Sequence, residues 1–171
     1  NPTTPPTPAP ELDLVTQLQV MASTLPKGTA ALENISNEIS RINQYDPVQD
    51  YLVQVQQAMD FRLTQEPKNR EFAYTLSLAN VLKRQVNSAI AALETVTQLD
   101  ASNPFAFCYL AFVELYDFRA GSAQTALDQA LKLDPSLPEA HALSAIANLM
   151  RGNLIGAWHH GQIYLKSNPQ L

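Results

Sequence analysis

Two segments, Thr97 to Pro104 (TQLDASNP) and Leu131 to Pro138 (LKLDPSLP), are near copies 34 residues apart, and this spacing constrains the fold more than any other feature of the chain. Steps of 34 from Pro67 reach Ala101, Pro135 and Pro169, so three units tile 70–103, 104–137 and 138–171 without insertion. Each unit has room for two helices and a turn. Hairpins of that length cannot bury their apolar faces alone, so they stack on their neighbours and form one continuous core.

Small residues recur at fixed slots, Ser77, Ala111 and Ala145 early in the units and Ala89, Ala123 and Ala157 late in them. Paired helices approach closely only where side chains are small at the crossing, so a bulky residue there would open the hairpin. In this pattern the chain resembles the tetratricopeptide repeat family. The bulky, Leu, small and aromatic slots of the first helices hold Ala73, Leu76, Ser77 and Asn80, then Phe107, Leu110, Ala111 and Glu114, then His141, Ser144, Ala145 and Asn148. The aromatic slots are therefore mostly unmet. The resemblance implies an all-α fold, a right-handed α-α superhelix of three hairpins, and a concave surface lined by the first helices. The slots facing that groove would include Tyr74, Leu78 and Val81, then Phe105, Cys108, Tyr109, Phe112, Leu115 and Tyr116, then Ile146 and Leu149. Family members that grip a C-terminal carboxylate use Lys, Arg and Asn in these slots; here the lining is apolar, so the expected ligand is an apolar helix or extended segment of another polypeptide.

Residues 104–116 sharpen that expectation. In Phe105 to Tyr116 (FAFCYLAFVELY) only Glu114 is charged, and a helix that is apolar all round must be covered all round. One face packs in the repeat core. The other is covered either by the chain's own N-terminal helices or by a partner, and in the second case Tyr74, Tyr109 and Tyr116 would combine apolar area with a polar tip.

Residues 11–69 precede the repeats as a helical extension. Leu14, Leu18, Met21 and Leu25 predict one helix, and Leu32, Ile35, Ile39 and Ile42 predict a second with a narrow stripe that either packs on the repeats or seeds a coiled-coil homodimer. Asp46 followed by Pro47 is a start signal for a third helix, whose Val48, Leu52, Val55, Met59 and Leu63 share a face as far as about Gln65. Residues 1–10 (NPTTPPTPAP) read as a semi-rigid linker, since proline fixes φ and donates no backbone hydrogen bond. A chain that opens in such a linker leads us to expect a membrane anchor or export signal upstream; the residues given read as a soluble domain of undetermined compartment, with no membrane contact of their own.

Chemistry other than binding finds little support. Asp and Glu outnumber Lys and Arg by 16 to 11, and no stretch concentrates the positive charge that nucleic acid requires. Lys83 and Arg84, with Arg62, Lys68 and Arg70, form at most a modest basic patch. The lone Cys108 cannot form an internal disulfide. His159 and His160 lie about 100° apart on a helix, unlike a metal pair spaced by four, and His141 occupies a packing slot. We therefore expect no cofactor, no metal and no catalysis. The leading expectation is an interaction scaffold or adaptor, with a role in assembling a larger or membrane-associated complex. The alternative is an oligomerisation subunit whose groove is permanently filled by its own or a neighbour's N-terminal helix.

Overall fold

The computed structural model describes residues 47–168, and among these the only regular elements are seven helices: α1 (Pro47–Gln65), α2 (Arg70–Leu82), α3 (Val86–Leu99), α4 (Pro104–Tyr116), α5 (Ala120–Leu133), α6 (Pro138–Met150) and α7 (Leu154–Ser167). The helices expected at 11–25 and around 32–42 lie outside the described residues. Successive helices pack on one another as hairpins, α2 with α3, α4 with α5 and α6 with α7, and α4 also meets α6. The starts of α2, α4 and α6 fall 34 residues apart, as do those of α3, α5 and α7.

Local chemistry explains these boundaries. Pro104 and Pro138 each sit in the first turn, where the missing amide hydrogen costs nothing. Asn69 and Asn103 cap their helices by accepting from the amides of Glu71 and Phe72 and of Phe105, and Asn153 accepts from Gly156. Each hairpin turns through the same motif. After α2 the amide of Arg84 donates to the Val81 carbonyl (2.9 Å) and that of Gln85 to Asn80 (2.9 Å); Phe118 and Arg119 repeat this after α4, and Gly152 and Asn153 after α6. This closure puts one residue in the left-handed region, Arg84 at φ 55°, Phe118 at φ 59° and Gly152 at φ 74°.

Only Gly152 suits that conformation. Phe118 is 85% exposed, so its ring contributes little packing to offset the strain. Phe118→Gly is expected to stabilise the fold by about 1 kcal/mol. Urea denaturation checks this, and an unchanged or lowered midpoint would count against the turn geometry.

The core runs the length of the stack. Leu52, Val55 and Met59 of α1 are buried against the first hairpin, which continues the apolar face expected for that helix. Ser77, Ala89, Ala111, Ala123 and Ala157 are buried, as small slots at close helix crossings require, whereas Ala145 is half-buried. Leu82, Leu93, Val96 and Leu127 belong to the same buried cluster.

Candidate interaction surface

The first helix of each hairpin presents the groove slots, and their exposure changes along the stack. In α2 Tyr74 and Leu78 are buried and Val81 is half-buried. In α4 Cys108, Tyr109 and Leu115 are buried and Phe105 and Phe112 half-buried, while Tyr116 at the helix end is 62% exposed. In α6 Ile146 and Leu149 are 47% and 57% exposed, although the same slots one unit earlier, Phe112 and Leu115, are covered. Of the slots expected to face a groove, Tyr116, Ile146 and Leu149 are the exposed ones.

Polar contacts reinforce this division. The Tyr74 hydroxyl donates to Asp100 Oδ2 (2.9 Å), which also accepts from Asn103 Nδ2 (2.9 Å), and Arg70 Nη1 lies 3.3 Å from Asp100 Oδ1. Burial, and then the Asp100 carboxylate, hold the Tyr74 phenol well above its usual range, so it remains a donor. Its polar tip is engaged within the chain and is not available to a partner. The Phe105 and Tyr109 rings stack at 6.4 Å between centroids. Burial, with Glu139 adding to it, pushes the Cys108 thiol up to about 12, which suits a packing residue and not a nucleophile.

The basic patch expected around the first hairpin is divided among other contacts. Arg62 lies over the Phe72 ring at 5.4 Å, and Arg70 pairs with Asp100.

Solved structures of MamA share this arrangement of helices. MamA MSR-1 aligns at a TM-score of 0.62 and 15% identity over 94% of this chain and 90% of its own. MamA AMB-1 gives 0.60 and 17% over 91% and 90%, and a double mutant of MamA RS-1 gives 0.59 and 18% over 91% and 93%. The fold is a tetratricopeptide-type helical array. No protein-family model and no curated protein matches the sequence. At this identity the likeness establishes the fold, and the surface has to be read from this chain's own residues.

The hairpin of α6 and α7 carries more than the predicted slots. Met150 extends the Ile146 and Leu149 stripe of α6, and α7 exposes Leu154, Ile155, Trp158 and Leu165, with Trp158 at 70%. Sequence reasoning missed the α7 residues because it considered only first helices. A signal was available, since Leu154, Trp158 and Leu165 recur at the spacing of one helical face.

The histidines were also read singly, yet the hairpin joins two of them. His141 of α6 and His160 of α7 face each other with Nδ1 atoms 2.8 Å apart, and His141 Nε2 lies 3.0 Å from the Pro135 carbonyl. Since a carbonyl only accepts, His141 donates through Nε2 and its Nδ1 accepts from His160. Burial and the neighbouring His141 and His159 hold His160 below the ordinary histidine range. Among the described residues no three His, Cys, Asp or Glu side chains are grouped as metal ligands, and no helix is long and apolar enough to cross a membrane.

Proposed function

We propose that the chain is a non-catalytic interaction scaffold that captures an apolar helix or extended segment of a partner polypeptide at the C-terminal end of its array. The observation that carries this reading is the exposure of Ile146, Leu149 and Tyr116, three slots of the expected groove, alongside apolar residues of α7. Large apolar side chains gain roughly 1.5–3 kcal/mol each when removed from water, so covering a few of them is enough to drive association. The remaining slots, Tyr74, Leu78, Val81, Phe105, Cys108, Tyr109, Phe112 and Leu115, would shape the groove from within.

That burial also favours a second reading, in which the groove is permanently filled by an N-terminal helix of the chain or of a neighbour and the protein is a subunit of a stable oligomer. Replacing Ile146 and Leu149 together by Asp separates the two. Both side chains are exposed, so the double variant is expected to fold normally, with stability within about 0.5 kcal/mol of the parent. Affinity capture from the native host is expected to lose its specific partner with this variant, while light scattering shows a monomer for both proteins. An undiminished partner, or a stable oligomer that neither substitution disturbs, would contradict capture at this surface.

A further inference from the structure

The aromatic slot left unmet in all three units holds Asn80, Glu114 and Asn148, and the three residues are buried to nearly the same extent. Two of them are satisfied. Asn80 accepts from Gln56 Nε2 (2.5 Å) and donates to the Ser88 carbonyl (3.3 Å). Asn148 donates to Gln124 Oε1 (3.0 Å) and to the Ser144 carbonyl (2.8 Å), and accepts from Asn153 Nδ2 (2.6 Å). In both cases a glutamine 24 residues earlier, on the helix before the hairpin, reaches the amide. The equivalent residue for Glu114 is Ile90, which offers no polar atom.

Glu114 is therefore different in kind. It is 6% exposed, and its Oε2 is buried without a hydrogen-bond partner among the described residues. Arg119, the cation whose charge acts on it, is held elsewhere, with Nε 2.6 Å from Asp117 Oδ2 and Nη2 2.6 Å from Asn87 Oδ1. A buried carboxyl oxygen left without a partner costs free energy and calls for an explanation.

The surroundings indicate what that is. Glu114 lines an open cleft of about 350 Å³ between α3 and α5, floored by Phe107 and Leu110 of α4 and edged by Glu94, Thr125 and Gln129. On α4, Phe107, Leu110 and Glu114 form one stripe, on the side opposite Phe105, Phe112 and Tyr116, so this cleft is separate from the groove face. It combines two carboxylates with apolar walls. A metal ion would require a third ligand, and none is grouped with them among the described residues. A guanidinium on a methylene stem matches both properties, since the fork pairs with a carboxylate and the stem lies along the apolar floor.

We propose that the cleft between α3 and α5 is a docking subsite for an arginine side chain of a partner polypeptide, with Glu114 as its buried counter-charge and Glu94 as the outer one. This goes beyond capture at the terminal hairpin and would survive its failure. Burial, with Glu94 adding to it and Arg119 opposing, raises the Glu114 carboxyl to about 7. A bound cation must lower it again, and by linkage the ligand must bind more tightly to the ionised form.

The test is NMR titration of the full chain with N-acetylarginine N-methylamide, following the Glu114 carboxyl carbon and the backbone amides, with the neutral citrulline analogue as control. The expected result is a fall of at least one pH unit in the Glu114 midpoint, equivalent to at least tenfold tighter binding to the ionised than to the protonated form, with shifts confined to α3, α4 and α5. Glu114→Gln keeps the shape without the charge; it is expected to abolish these shifts while melting no lower than the parent. An immobile Glu114 midpoint, an equal response to citrulline, or unchanged shifts in a folded Glu114→Gln variant would each overturn the proposal.

Discussion

Ala123→Trp is expected to unfold the array or to lower its stability by at least about 3 kcal/mol, an effect readable as a large drop in the melting temperature. Ala123 is fully inaccessible at a small slot of α5, so an indole cannot be accommodated without separating the helices. Only two residues earlier, Gly121 offers open space, with nothing within 4 Å of an added Cβ. Gly121→Ala is therefore expected to be neutral or to stabilise by up to about 1 kcal/mol through helix propensity. The contrast tests the register: a well-tolerated Trp at 123 would mean that the small slots do not mark helix crossings.

Asp100→Ala is expected to cost on the order of 3 kcal/mol, because it breaks a network that ties the first hairpin to the second. The substitution would leave the buried Tyr74 hydroxyl without its acceptor and remove the shared partner of Asn103 and Arg70. The equivalent residue one unit later behaves differently. Among the described residues Asp134 Oδ1 accepts from the hydroxyl and the amide of Ser136, two bonds that also hold its carboxyl below the usual range. Asp134→Ala is expected to cost about 1 kcal/mol or less, as for a surface turn. Chemical denaturation of both variants measures the difference, and equal costs would show that the Tyr74 contact contributes nothing to stability.

Much of this fold was legible because its signals are local or strictly periodic. Proline at the first turns of α1, α4 and α6, small residues at the crossings and the near-copy turns at Asp100 and Asp134 all follow from backbone sterics and packing. What remained hidden depends on contacts between units. Phe112 and Ile146 occupy the same slot with similar side chains, yet one is half-buried and the other exposed, because accessibility is set by what lies against the slot. Glu114 could be seen to fill an aromatic position, but its different surroundings become visible only when Gln56, Ile90 and Gln124 are compared as a series of equivalent residues. The His141 and His160 pair was likewise concealed by a separation of 19 residues and by the turn that folds α7 back on α6.

The most direct test of the capture surface is site-specific photo-crosslinking in the native host, with a benzophenone amino acid placed at Leu149 and, as a control, at the exposed Asp128 of α5. Capture at the terminal hairpin predicts a discrete adduct with a different polypeptide from position 149 and none from position 128. Adducts only with a second copy of this chain, or no adduct at position 149, would contradict it.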